Sequence, residues 1–102
     1  PKIEAGSEYK IPADLVIKSL GFDPENIPKL FNAEELAISQ WGTIKIDLKS
    51  MQTNLDGVFA AGDIVRGASL VVWAIRDGRD VAVEIEKYLK LKANNNKSEE
   101  AA

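Results

Sequence analysis

The run Gly57-Val58-Phe59-Ala60-Ala61-Gly62-Asp63, with a long apolar-faced helix opening near Ser69, constrains this chain more than any other feature. Residues 58–61 are apolar on both faces, as expected of a strand covered on both sides. That strand ends in Gly-Asp, passes through a short loop and meets a helix N-terminus. One carboxylate and a row of backbone N–H groups are thereby held near one point. A polyhydroxylated, negatively charged cofactor is a natural ligand for such a point.

The helix is predicted over residues 69–91. Val71, Ala74, Ile75, Gly78, Ala82, Ile85 and Leu89 recur at spacings of three and four and fall on one stripe, with Arg76, Asp80, Glu84 and Lys87 off it. Ser69 can cap the first turn. Gly78 costs roughly 1 kcal/mol against Ala in a helix interior, which points to close backbone approach by a neighbouring element. Upstream, residues 9–12 read as a short edge strand stopped by Pro12. Residues 14–20 read as a buried strand ended by Gly21. Residues 22–28 form a loop punctuated by Pro24 and Pro28, and residues 29–36 hold a helical turn. Ile44 and Ile46 alternate with Thr43, Lys45 and Asp47, the pattern of a half-exposed strand over 41–47. Residues 50–56 are a polar loop with a short extended piece at 51–53.

This order is α/β, but incomplete. No Gly-x-Gly-x-x-Gly turn follows a strand, and no Walker loop is present. The strand at 14–20 has no long helix after it. The expected architecture is part of a three-layer Rossmann-like domain, a few strands plus one long C-terminal helix. Residues 1–12 are its polar lead-in and edge strand, residues 13–92 its body, and residues 93–102 a disordered tail without apolar periodicity.

Composition narrows the chemistry. The formal net charge of -3 argues against a phosphate-backbone binder, and no apolar run approaches the roughly 18 residues of a membrane span. The chain has no Cys, so it supplies no disulfide, thiolate metal site or iron–sulfur ligand; it has no His, the commonest acid–base catalyst. The N-terminal residues show no signal-peptide pattern, and the chain opens on Pro1 rather than Met, which reads as a cut or processed polypeptide. The carboxylates at Glu34 and Glu35, or Glu84 and Glu86, sit in solvated stretches and make a poor glycosidase pair.

Between residues 57 and 79 the chain resembles a known family. Val58-Phe59-Ala60-Ala61-Gly62-Asp63, then Gly67-Ala68-Ser69-Leu70-Val71-Val72, then Ala74-Ile75-Arg76-Asp77-Gly78-Arg79 is similar to the C-terminal FAD-binding segment of flavoprotein oxidoreductases with two dinucleotide domains. Ala13-Asp14-Leu15-Val16-Ile17-Lys18-Ser19-Leu20-Gly21-Phe22-Asp23-Pro24 resembles the strand by which that family leaves its NAD(P)H domain, with Lys18 and Ser19 where relatives often carry small apolar residues. Within the superfamily, the resemblance is to the small (β) subunit of NADPH-dependent glutamate synthase.

The resemblance implies an FAD site in part. Asp63 would accept a hydrogen bond from a ribityl hydroxyl, and Gly62 would let the backbone come close where a Cβ would collide. The amides of Leu70 and Val71 would point at the flavin N1–C2=O edge, stabilising negative charge there by about 0.3–2 kcal/mol. Ser69 would sit at the helix opening and Gly21 beside the cofactor, although Ser69 reads equally as an N-cap and Gly21 as strand punctuation. The NADPH site, the iron–sulfur clusters and the FAD pyrophosphate loop would lie outside this sequence. The partner implied is the glutamate synthase large subunit, in the cytoplasm, with no nucleic acid and no membrane. Two alternatives stay open: another flavoprotein of the superfamily, such as a sulfide dehydrogenase or transhydrogenase subunit, and a cofactor-free module that dimerises through exposed strands at 9–11 and 14–20.

Overall fold

The computed structural model describes residues 2–100, with side-chain surroundings defined for 2–95. Three helices follow in chain order: α1 (Ile27–Leu30), α2 (Asp63–Arg66) and α3 (Val71–Glu100). The Asn26 side chain caps α1 by accepting from the Lys29 amide at 3.2 Å, and Pro28 sits in its first turn, where no amide is required. The single helical turn expected over 29–36 thus lies slightly earlier.

Two tight reversals stand where strands were expected. In the first, Ile38 and Ile44 form an isolated antiparallel bridge around a turn that holds Gly42 at φ 80°. The Ser39 amide donates to the Thr43 carbonyl at 2.8 Å and the Lys45 amide to the Ala37 carbonyl at 2.9 Å. In the second, Gln52 and Phe59 form another such bridge, flanked by the Thr53 amide on the Val58 carbonyl at 2.8 Å. Asn54 joins the two: its side-chain oxygen accepts from the Ala37 amide and its nitrogen donates to the Glu35 carbonyl, both at 2.7 Å. Leu36 and Ile44 are the buried apolar residues of this unit. The extended pieces at 41–47, 51–53 and 58–61 are therefore present as single bridges. Among the described residues no strand is long enough to form a ladder.

Residues 9–22 have no regular structure, and the apolar side chains of Leu15, Val16, Ile17 and Leu20 are exposed. The buried strand expected at 14–20 is not buried by this chain. A strand needs hydrogen-bonding neighbours, and no other described segment pairs with it.

The helix α3 begins two residues after Ser69. Leu70 takes the cap position, its carbonyl accepting from the Trp73 amide at 2.9 Å, and the Ser69 hydroxyl makes no bond to the first turn. At its other end α3 continues helically through residues 93–100, where a disordered tail was expected; residues 101 and 102 lie outside the described part. The helix docks through a face that overlaps the predicted stripe. Asp77 is buried, Val81, Ile85 and Tyr88 are half-buried and the Ala74 Cβ faces Gly62, while Val71, Ile75, Ala82 and Leu89 are exposed. Tyr88 meets Phe59 edge-on at 5.5 Å between ring centroids, and Lys92 bridges the Tyr88 hydroxyl and Asp56 at 2.7 and 2.6 Å. No heavy atom outside its own helix approaches the position a Cβ on Gly78 would take, so the neighbour inferred from Gly78 is not supplied by this chain. The Cα radius of gyration is 21.0 Å, against about 13 Å for a compact domain of this length.

Candidate functional site

The Gly-Asp of the 57–63 run sits where the second reversal hands over to α2. Gly62 caps α2 with φ 79° and ψ -151°, a region open essentially to glycine alone. A Cβ there would meet only the Ala74 Cβ, at 3.9 Å. The glycine is thus required by its backbone conformation rather than by crowding. Asp63 follows as the first residue of α2 and is exposed. Gly67 closes the turn at φ 82°, donating its amide to the Asp63 carbonyl at 2.8 Å, and redirects the chain toward α3. The Ile44 amide donates to the Ile64 carbonyl at 2.8 Å, which ties α2 to the first reversal.

A hollow of about 550 Å³ opens beside this handover. Ala60, Ala61, Asp63, Gly67 and Ala68 line one side, and Phe22, Asp23, Pro24 and Glu25 line another, with Ile44, Phe59 and Ile64 between them. Small residues on the 60–68 side keep the space open. Asp63 supplies a carboxylate acceptor, and the wall ends at Ala68, immediately before the approach to α3. There the amides of Leu70, Val71 and Val72 donate to no acceptor among the described residues. An acceptor for hydroxyls and open donors for carbonyl oxygens fit a ribityl–isoalloxazine unit. Gly62 is buried behind the hollow, whereas Ser69, Leu70, Val71 and Gly21 stand outside its lining. Gly21, at φ 110°, precedes Phe22, which does line it.

Behind the hollow lies a polar contact not evident from the sequence. Asp77 of α3 is buried, and its two carboxylate oxygens accept from Arg66 Nε and Nη2, both at 2.6 Å. The Arg66 guanidinium, followed by a smaller contribution from the Gly62 backbone amide, holds the Asp77 carboxyl below the usual carboxylate range. Arg66 and Arg76 also lie over the Trp73 ring, at 5.2 and 5.7 Å from its centroid. Two opposite charges eleven positions apart in sequence give no sign that they meet, because the turn at Gly67 brings them together. Glu25 carried no signal, and Phe22 and Asp23, part of the resembling stretch, gave no sign that the loop around Pro24 would set them at the hollow.

Residues 2–78 match the family of pyridine nucleotide-disulphide oxidoreductases, and the chain belongs to that family, whose fold is Rossmann-like. The chain is 60% identical over 93 residues to a glutamate synthase [NADPH] small chain of Azospirillum brasilense, covering 91% of this chain and 19% of the relative. A putative glutamate synthase [NADPH] small chain of Cereibacter sphaeroides is 57% identical over 87% of this chain and 22% of its own length. Putative oxidoreductase AegA of Escherichia coli is 42% identical over 86% of this chain and 14% of its own length. The chain therefore spans about a fifth, or less, of the curated relatives it matches. No helix among the described residues is long and apolar enough to cross a membrane.

Proposed function

We propose that residues 13–92 form the flavin-side closing part of an FAD-binding domain in an NADPH-dependent oxidoreductase of the glutamate synthase small-subunit type. One observation carries this reading: the Asp63 carboxylate lines a hollow whose wall runs to Ala68, just before the open amides that begin α3, in a chain with this degree of identity to such small chains. Bound FAD would supply the hydride and electron chemistry between NADPH and iron–sulfur centres. The chain's own residues bind and orient. Asp63 accepts from a ribityl hydroxyl, the strained turn at Gly62 delivers Asp63 to the hollow, and the Leu70 and Val71 amides face the flavin carbonyl edge, with Ser69 completing the loop. Gly21 contributes through its backbone when its strand is paired. The NADPH site and the iron–sulfur ligands belong to sequence outside these residues. The partner is a glutamate synthase large subunit, and the setting is the cytoplasm. The 42% identity to AegA supports a second reading, another electron acceptor on the same flavin scaffold.

The test is FAD binding. The isolated chain should bind FAD weakly or not at all, and a longer polypeptide of the relatives' extent containing this sequence should bind it. In that polypeptide Asp63→Ala should weaken FAD binding by about tenfold to a hundredfold, the scale of a charge-assisted hydrogen bond. Undiminished FAD affinity in that variant overturns the role of Asp63.

A further inference from the structure

The carboxylate of Asp77 holds the C-terminal end of α2. It accepts two hydrogen bonds from Arg66, the last residue of that helix, at 2.6 Å each. The Gly62 backbone, at the other end of that helix, adds only a smaller electrostatic stabilisation of the same carboxylate. A helix of one turn has no stability of its own, so the orientation of α2 comes from what grips it. One grip is the Ile44 amide on the Ile64 carbonyl at 2.8 Å; the other is the Asp77 side chain, buried on α3, on Arg66. Asp63 is the first residue of the helix so held. The open amides of Leu70 and Val71 lie upstream on the same helix as Asp77, about 9 Å along the axis from it. The fork geometry of a bidentate guanidinium–carboxylate pair fixes direction as well as distance, and Trp73 of α3 flanks the same guanidinium at 5.2 Å.

We infer that Asp77 and Arg66 are positioning residues that set the Asp63 carboxylate at a fixed span from the amides opening α3, so that both ends of one flavin unit are held at once. The inference rests on the flavin reading of the hollow. Neither residue touches the cofactor; each acts through α2. Loss of the pair lets α2 pivot about Gly67, and the carboxylate and the amides then no longer match a rigid ligand.

The test uses the longer FAD-binding polypeptide, carrying Asp77→Asn, Arg66→Lys or Asp63→Ala. For each variant it reads the FAD dissociation constant, the visible spectrum of the bound flavin and the melting temperature without FAD. Asp77→Asn should raise the dissociation constant about tenfold, the scale of a lost hydrogen bond to a charged group, and shift the flavin absorption bands, at a temperature where the apoprotein is folded. Arg66→Lys keeps the charge but loses the fork, and should give a smaller change of the same kind. A purely structural pair would lower the melting temperature while leaving affinity and spectrum of the folded protein unchanged; that result overturns the inference. If Asp77→Asn does not fold, Arg66→Lys decides by the same two readouts. Weakened binding in Asp63→Ala with unchanged binding in the two latch variants overturns the latch alone. Unchanged binding in all three overturns the flavin reading with it.

Discussion

Residues 9–22 and residues 36–66 carry similar strand-forming sequence and reach opposite ends. In the second region Leu36 and Ile44 are 6% and 7% exposed, and the extended pieces find partners across two reversals, through Asn54 and through α2. In the first, Leu15, Val16 and Ile17 remain 76%, 77% and 78% exposed, with no inter-segment hydrogen bond. Apolar composition is the same kind of signal in both. The difference is whether the pairing partner is close in sequence, because a reversal of a few residues closes a loop at little entropic cost and a distant edge has to be supplied from elsewhere.

Amide hydrogen exchange offers the sharpest way to break that comparison. The amides of Ile44, Thr53 and Val58 should exchange at least about a hundredfold more slowly than those of residues 14–20, since only the former are in local hydrogen bonds that must open first. Equal rates would erase the distinction. Protection of residues 14–20 should appear in the longer polypeptide.

Truncation of side chains should show the same contrast with a smaller effect. Ile44→Ala should cost about 2–4 kcal/mol in denaturant unfolding, and Val16→Ala of the isolated chain should fall within about 0.5 kcal/mol of the parent. Gly62→Ala should cost about 1–3 kcal/mol, from backbone conformation alone, because the space for its Cβ is available. A negligible cost there would mean that the turn relaxes and that Asp63 is not held by it.

The smallest effect is that of pH. Arg66 holds the Asp77 carboxyl below its ordinary range. Its contribution is therefore complete above the unfolded pKa of about 4 and is lost as pH falls through the lower folded value. Stability should be flat on this account from about pH 8 to 5, and Asp77→Asn should flatten the acid limb below about pH 4. An unaltered limb would show that the pair does not couple α2 to α3 in solution.

Much of the site could be read from residue order. The Gly62–Asp63 turn and the long helix that follows are legible in small residues, one carboxylate and an apolar period. The docking face of α3 was legible only in part: Ala74 and Ile85 belong to the apolar stripe, whereas Asp77, Val81 and Tyr88 lie off it and are covered only because the chain turns back on the helix there. Ser69 is competent as a cap in sequence, yet Leu70 occupies that place, since the chain leaves Gly67 in a direction that starts the helix later.

The sequence by itself determined the long helix, the turn that only glycine can make at residue 62, the acidic residue after it and the family. These rest on periodicity and local backbone sterics, which act between residues close along the chain. The tertiary structure alone decided that Asp77 closes on Arg66, and that the segment 14–20 finds no pairing partner among the described residues. Both depend on which groups meet through space, and hydrogen bonding and burial act only after the chain has turned back on itself.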